Sequence, residues 1–299
     1  MNRRSFLSLT ALLAVGAGLG TLSACSARPD GPLAAGQRGS FEFTLPEAVP
    51  GPAIRVYYSM PEADLTQAPV LVVIPGQQRN AQEYLQDWLD FSADTGRIVL
   101  CPEFPESSFP SRAYNQGGVL DQDDNLADRS AWTFNAIESL FDQVVGRVSG
   151  QQRGYDLFGH SAGAQFVHRM ALLQPEHRIS TAMAANAGWY TQTDLRENYP
   201  YGLDEIEITD AQIEHGLGTN LVIMLGADDT DTSSDSLRST EEASEQGDHR
   251  LERGMSFYAT GSKLSDELGV DFAWRMYVVP GVGHEHIGMA AAARTFLKG

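Results

Sequence analysis

Tyr155-Asp156-Leu157-Phe158-Gly159-His160-Ser161-Ala162-Gly163 is the stretch that decides the fold. The run up to His160 reads as a short strand buried on both faces, and from 162 to 174 the periodicity turns helical. A G-x-S-x-G pentapeptide at such a junction places Ser161 on a sharp strand-to-helix turn. Glycine is needed on both sides, because a β-carbon would clash in so tight a bend. The helix N-terminus then faces any negative charge that develops beside the serine hydroxyl. The pentapeptide alone is common, so its specificity comes from this context. The alternative is a structural Gly-Ser turn.

Working outward from Ser161, apolar runs alternate with helical patterns. The runs are PVLVVIPG (69–76), RIVLCPEF (97–104), STAMAANAG (180–188), NLVIMLGADD (220–229) and FAWRMYVVPG (272–281). Continuous apolarity implies strands of a mainly parallel sheet, and helical patterns lie at about 81–94, 127–148, 249–268 and 287–298. The twisted sheet therefore carries helices on both faces, with right-handed crossovers. FEFTL (41–45) and AIRVYYSM (53–60) alternate apolar and polar positions instead, as an antiparallel entry hairpin does. Segments 105–126 and 189–218 break the alternation; they read as pocket walls or a lid, or as plain surface excursions.

A serine hydroxyl is a weak nucleophile at neutral pH, so a base must take its proton and a carboxylate must orient that base. Both are present after later strands. NLVIMLG is followed by Ala227-Asp228-Asp229, and RMYVVPG by Val282-Gly283-His284. The order Ser161, acid, His284 places each residue beyond a strand at one sheet edge. Asp228, Asp229 and Asp231 crowd the acid position.

VVIPGQQRN, FGHSAGAQFVHR, AANAGWY, LGADDTDT and VPGVGHEH together resemble the α/β-hydrolase superfamily, in its secreted esterase and polyhydroxyalkanoate-depolymerase-like branch. The resemblance runs from about Phe41 to the C-terminus. It implies the α/β-hydrolase fold and a serine hydrolase that cleaves carboxylic esters, small or polymeric, through an acyl-enzyme. Ser161, Asp229 and His284 are then the catalytic residues, since the family acid stands three residues after the glycine that closes its strand, here Gly226. By the same resemblance the backbone N–H groups of Gln77 and Ala162 form the oxyanion hole, although the usual His-Gly of that loop is Pro75-Gly76 here. No cofactor is needed. Peptidase or acyltransferase chemistry uses the same triad, and a non-catalytic hydrolase-fold binding lipoprotein is the alternative of another class.

Trp189 and Tyr190, directly after a strand, are candidates for the substrate pocket or for a packed aromatic anchor. His284 and His286 form an H-x-H pair without a third ligand at a recognisable spacing, so no metal site is expected, and His286 reads as a loop residue. Asp121, Asp123 and Asn125 open like a calcium loop, but Leu126 and Trp132 occupy the positions that need Gly and Glu. The acidic loop from Asp228 to Asp248 reads as solvated charge. His160 should point away from the reacting atoms and pack.

The 299 residues, 42% of them hydrophobic, suit one large core and one catalytic domain. A formal net charge of −18 repels phosphate backbones and excludes nucleic acid as a partner. Asn2-Arg3-Arg4-Ser5-Phe6-Leu7 precedes an apolar run to about Leu22, the pattern of a twin-arginine export signal. Leu22-Ser23-Ala24-Cys25 resembles a lipobox, which implies lipidation of Cys25, a membrane anchor and a cell-envelope protein on the extracytoplasmic side. Residues 1–24 thus read as signal peptide, 25–38 as lipidated cysteine and flexible tether, and 39–299 as catalytic domain. Cys101, the other cysteine, ends an apolar run and reads as a buried strand residue.

Overall fold

Residues 31–297 are described by a computed structural model. The signal peptide and Cys25 lie outside the described residues. The apolar runs become strands β1 (Arg38–Phe43), β2 (Ile54–Ser59), β3 (Val70–Ile74), β4 (Ile98–Glu103), β5 (Tyr155–His160), β6 (Ile179–Ala185), β7 (Leu221–Gly226) and β8 (Arg275–Val279). They form one sheet in the order β1-β2-β4-β3-β5-β6-β7-β8. β1 and β2 are the antiparallel entry hairpin, β2 also runs antiparallel to β4, and all later pairings are parallel.

The helices are α1 (Ala81–Gln86), α2 (Leu89–Thr95), α3 (Phe134–Arg147), α4 (Ala162–Leu173), α5 (Asp210–Gly218), α6 (Glu241–Glu245), α7 (Arg250–Leu268) and α8 (His286–Ala293). Because successive side chains of a strand point to opposite faces, each central strand feeds two cores. Val70, Val72 and Ile74 of β3, with Leu221, Ile223 and Leu225 of β7, meet α3, α4, α5 and α7. Leu71 and Val73, with Val222 and Met224, meet α1, α2 and α8 on the other face. This is the α/β-hydrolase architecture.

Several boundaries differ from the sequence expectation. The helix expected over 81–94 breaks at Asp87 and Trp88, where Trp88 is fully buried against Phe91 and Phe158. Segment 189–218 contains α5, entered through a capping box between Thr209 and Gln212. β8 is an edge strand with Met276 and Tyr277 exposed, not a doubly buried one. The tether read over 25–38 reaches the body earlier than Gly39. Leu33 is buried, its amide donates to the Arg147 carbonyl at 3.4 Å, and Arg147 Nε donates to the Gly31 carbonyl at 2.8 Å.

The turn between β5 and α4 has Ser161 at φ 56°, ψ −114°. A β-carbon on Gly159 would lie 2.3 Å from the Gly163 carbonyl oxygen, and one on Gly163 would lie 2.0 Å from that of Ile74. Backbone cannot retreat from either contact without opening the sheet. Gly163→Ala is therefore expected to lower the unfolding free energy by about 3 kcal/mol or more. Gly146→Ala, in α3 with open space around the new methyl group, is expected to raise it by up to about 1 kcal/mol. Urea unfolding of the two variants beside the parent checks both signs.

Candidate active site

Parallel strands deliver their C-terminal ends to one edge of the sheet, and the loops after β3, β5, β7 and β8 meet there. Ser161 follows β5 directly. Its Oγ lies 3.1 Å from His284 Nε2, while His284 Nδ1 lies 2.8 Å from Asp229 Oδ2. A carboxylate only accepts, so Nδ1 carries the proton and Nε2 is left to accept from the serine hydroxyl. Asp229 is buried, whereas His284 is partly open to solvent.

The crowded acid loop resolves by geometry. β7 ends at Gly226, the Asp229 amide turns back to the Gly226 carbonyl at 3.2 Å, and the side chain points inward. Asp228 is exposed, and Asp231 accepts from the amide and hydroxyl of Ser233. The second oxygen of Asp229 faces Arg250 Nη1 at 3.5 Å, so the buried carboxylate has a cation on one side and an imidazole on the other.

Asn186, just past β6 at φ 52°, ties the loops together. Its Nδ2 donates to the Gly283 carbonyl at 2.7 Å, and its Oδ1 accepts from the Gly226 amide at 2.7 Å. The residue before His284 is thereby fixed to the end of β7. Sequence reading missed Asn186, although it stands at a strand end like the other site residues.

The H-x-H pair divides between two carboxylates. His286 is the first residue of α8, not a loop residue, and its Nδ1 meets Asp87 Oδ2 at 2.5 Å. That hydrogen bond, with the charges of Asp87 and Glu83, raises the His286 pKa above the ordinary imidazole value. His160 is buried, with Nδ1 2.8 Å from Tyr84 Oη and its ring 5.0 Å from that of His284. Burial, then the neighbouring His284 and His286, holds its pKa well below the ordinary value. It does not point away from the site as expected, but packs as a neutral ring beside the His284 imidazole and lines the Ser161 cleft.

Two clefts open beside Ser161. One of about 520 Å³ is lined by Gln77, Glu83, Glu106, Ser236, His284 and His286 among others. The second, about 410 Å³, includes Gln77, Ala162, Trp189, Ser236, Arg238 and Arg250. Gln77 borders both. Ala162 begins α4, where an amide has no carbonyl within its own helix. Trp189 is a wall of the second cleft, with the guanidinium groups of Arg169 and Arg238 over its ring at 4.2 and 5.2 Å. Tyr190 is not a wall. It turns the other way into the core and stacks on Phe257 at 4.7 Å, so the pocket expectation for it is corrected.

Segment 105–126 supplies Glu106, Ser111 and Asn115 to the walls. The stretch 235–240, read from the sequence as solvated charge, supplies a larger share of the second cleft. Arg250 connects it to the site, since Nη2 donates to Ser236 Oγ at 2.8 Å while Nη1 faces Asp229. The signal available was position: this stretch follows β7 at the same sheet edge.

No protein-family model matches the chain, and no curated protein matches it. Among solved structures, poly(aspartic acid) hydrolase-1 from Sphingomonas sp. KT-1 is 40% identical, with a TM-score of 0.84 over 88% of this chain and 98% of that one. LpqC, a poly(3-hydroxybutyrate) depolymerase from Bordetella parapertussis, is 27% identical, with a TM-score of 0.83 over 88% and 89% of the two chains. A thermostable esterase at 13% identity and a TM-score of 0.53, covering 86% of this chain and 60% of its own, shares the fold alone. The chain belongs to the α/β-hydrolase superfamily, in its branch of depolymerases and esterases.

Proposed function

We propose that the chain hydrolyses carboxylic esters through a covalent acyl-enzyme on Ser161. The observation that carries this reading is the unbroken line of hydrogen bonds from Ser161 Oγ through His284 to Asp229, at 3.1 and 2.8 Å. Ser161 Oγ attacks the ester carbonyl while its proton passes to His284 Nε2. The carbonyl oxygen becomes an oxyanion, and the N–H groups of Gln77 and Ala162 are assigned to it. Collapse of the tetrahedral carbon breaks the bond to the leaving oxygen, which takes the proton from His284 as an alcohol. Water then gives a proton to His284, adds to the acyl carbon and releases the acid, and Ser161 regains its hydrogen. Asp229 holds the histidine in the tautomer that both steps need.

A second reading rests on the 40% identity to a poly(aspartic acid) hydrolase. In it the same residues open an amide link, and the group that departs with the proton of His284 is an amine. Parallel assays on aryl esters, poly(3-hydroxybutyrate) and poly(aspartic acid) separate the two readings.

The amino-terminal expectations stay proposals as well: export by the twin-arginine signal, cleavage before Cys25, and lipid anchoring of that cysteine. An anchor of more than one acyl chain holds a protein stably where a single chain binds marginally. Cys25→Ser is expected to move the protein from the membrane fraction to the soluble fraction. Unchanged fractionation contradicts lipidation.

Ser161→Ala is expected to abolish ester hydrolysis and fluorophosphonate labelling while leaving the melting temperature within a few degrees of the parent. Labelling that survives the substitution, or a parent that never labels, overturns the serine-hydrolase reading. Asp229→Asn is expected to lower kcat by roughly a hundredfold or more, because the imidazole loses the partner that fixes its tautomer. Asp228→Asn and Asp231→Asn, both exposed, are expected to stay close to the parent. Steady-state kinetics on one aryl ester with all three variants checks the assignment.

A further inference from the structure

The loop between β3 and α1 runs Pro75-Gly76-Gln77-Gln78-Arg79-Asn80, and Arg79 in it is buried. It is 4% exposed, yet no carboxylate is hydrogen-bonded to it among the described residues. Burial accordingly lowers its pKa from the ordinary guanidinium value. A charge held in the interior with no closer counter-charge than Glu106, which makes no hydrogen bond to it, is costly, and an apolar side chain would fill the same space more cheaply. What the guanidinium contacts is loop backbone. Nη1 donates to the Gln77 carbonyl at 3.0 Å and to the Gly76 carbonyl at 3.5 Å, and Nη2 reaches the Phe109 carbonyl at 3.5 Å. The Arg79 amide also donates to the Gly76 carbonyl, at 3.0 Å.

The guanidinium lies 3.7 Å from the centre of the Tyr114 ring, and Tyr114 Oη donates to the Pro75 carbonyl at 2.6 Å. The carbonyls of Pro75, Gly76 and Gln77 are therefore all held by donors from Arg79 or Tyr114. In a trans peptide the C=O and N–H of one plane point in opposite directions. The plane that carries the Gly76 carbonyl also carries the Gln77 N–H, and the next plane carries the Gln77 carbonyl. Both planes flanking Gln77 are thus pinned by their oxygens. Among the described residues the Gln77 amide has no hydrogen-bond partner of its own, and Gln77 borders both clefts at Ser161.

We infer that Arg79 is a positioning residue for the oxyanion hole, its guanidinium holding the loop carbonyls so that the Gln77 N–H points to the carbonyl oxygen under attack at Ser161. The inference rests on the serine-hydrolase reading and adds to it a residue that never touches substrate. A rigid donor aimed at the oxyanion matters in the transition state and little in the ground state, so its loss should appear in kcat and not in KM.

Two variants of the full chain test it. Arg79 sits at φ 57°, which glycine adopts freely, so Arg79→Gly removes the guanidinium without adding backbone strain. Arg79→Lys keeps the charge, but one ammonium cannot reproduce the fork that spans separate carbonyls. Each variant is measured for kcat and KM on an aryl ester, for the affinity of a boronic acid that forms a tetrahedral adduct on Ser161, and for inhibition by the product acid.

The expected result is a fall in kcat of about tenfold to a hundredfold with KM within about twofold. Boronic acid affinity should fall in parallel, and product inhibition should stay unchanged. If Arg79→Gly does not fold, Arg79→Lys decides. Variants that keep kcat, or that lose boronic acid and product binding together, overturn the positioning role; so does failure of both to fold, which marks Arg79 as purely structural. A parent that neither turns over the ester nor labels with fluorophosphonate overturns the serine-hydrolase reading itself, and this inference with it.

Discussion

Helix α4 lies so close to strand β3 that a β-carbon on Gly163 would stand 2.0 Å from the Ile74 carbonyl oxygen. That approach forces the chain to turn within one residue of leaving β5, and Ser161 takes the strained backbone at φ 56° because no longer connection fits. The strain is held by the sheet. The Ser161 amide donates to the Ala185 carbonyl of β6 at 2.9 Å, and β5 pairs with β3 on its other side. The hydroxyl is thereby raised above the edge, where the loops after β3, β7 and β8 arrive.

The second requirement is electrostatic. A carboxylate as buried as Asp229 is stable only if its oxygens are occupied, and His284 and Arg250 occupy one each. These partners also do chemical work of different kinds. His284 gains a fixed tautomer, whereas Arg250 reaches on to Ser236 and anchors the 235–240 wall. Asn186 completes the frame by joining Gly226 to Gly283. A change in any one of these residues is felt by two loops at once, so their effects on activity should not add.

How much of this was legible in the sequence follows from how far each residue's role depends on its neighbours in the chain. Ser161 and His284 could be read because each stands just beyond an apolar run, and such runs identify strands. The acid could be narrowed to three neighbouring aspartates by position and to Asp229 by resemblance, but only the turn after Gly226 shows which carboxylate faces inward. Trp189 and Tyr190 are adjacent and aromatic; which one meets the cleft depends on where α7 brings Phe257. Helix α5 was legible and overlooked, since Thr209 and Gln212 spell its capping box. Asn186 offered only its strand-end position, and Arg79 and Arg250 offered less, because Phe109 and Tyr114 around the one and Asp229 and Ser236 around the other are brought near only by the tertiary fold.

The mechanism proposed for Ser161 does not by itself choose between an ester and an amide. Both pass through the same tetrahedral carbon, and both need an oxyanion site and a base. They part at the leaving group: an alkoxide departs from that carbon readily, whereas nitrogen must be protonated before the C–N bond breaks. In the proposed mechanism that proton comes from His284 Nε2, on an imidazole open enough to the cleft to meet a leaving atom beside Ser161 Oγ. Selection must then arise where the substrate's flanks lie. One cleft presents Glu83, Glu106 and the His286–Asp87 pair, and the other presents Trp189 under Arg238. On the proposed mechanism, walls of such different charge and shape would orient a substrate with two unlike ends, and orientation would decide which of its atoms stands over the His284 proton.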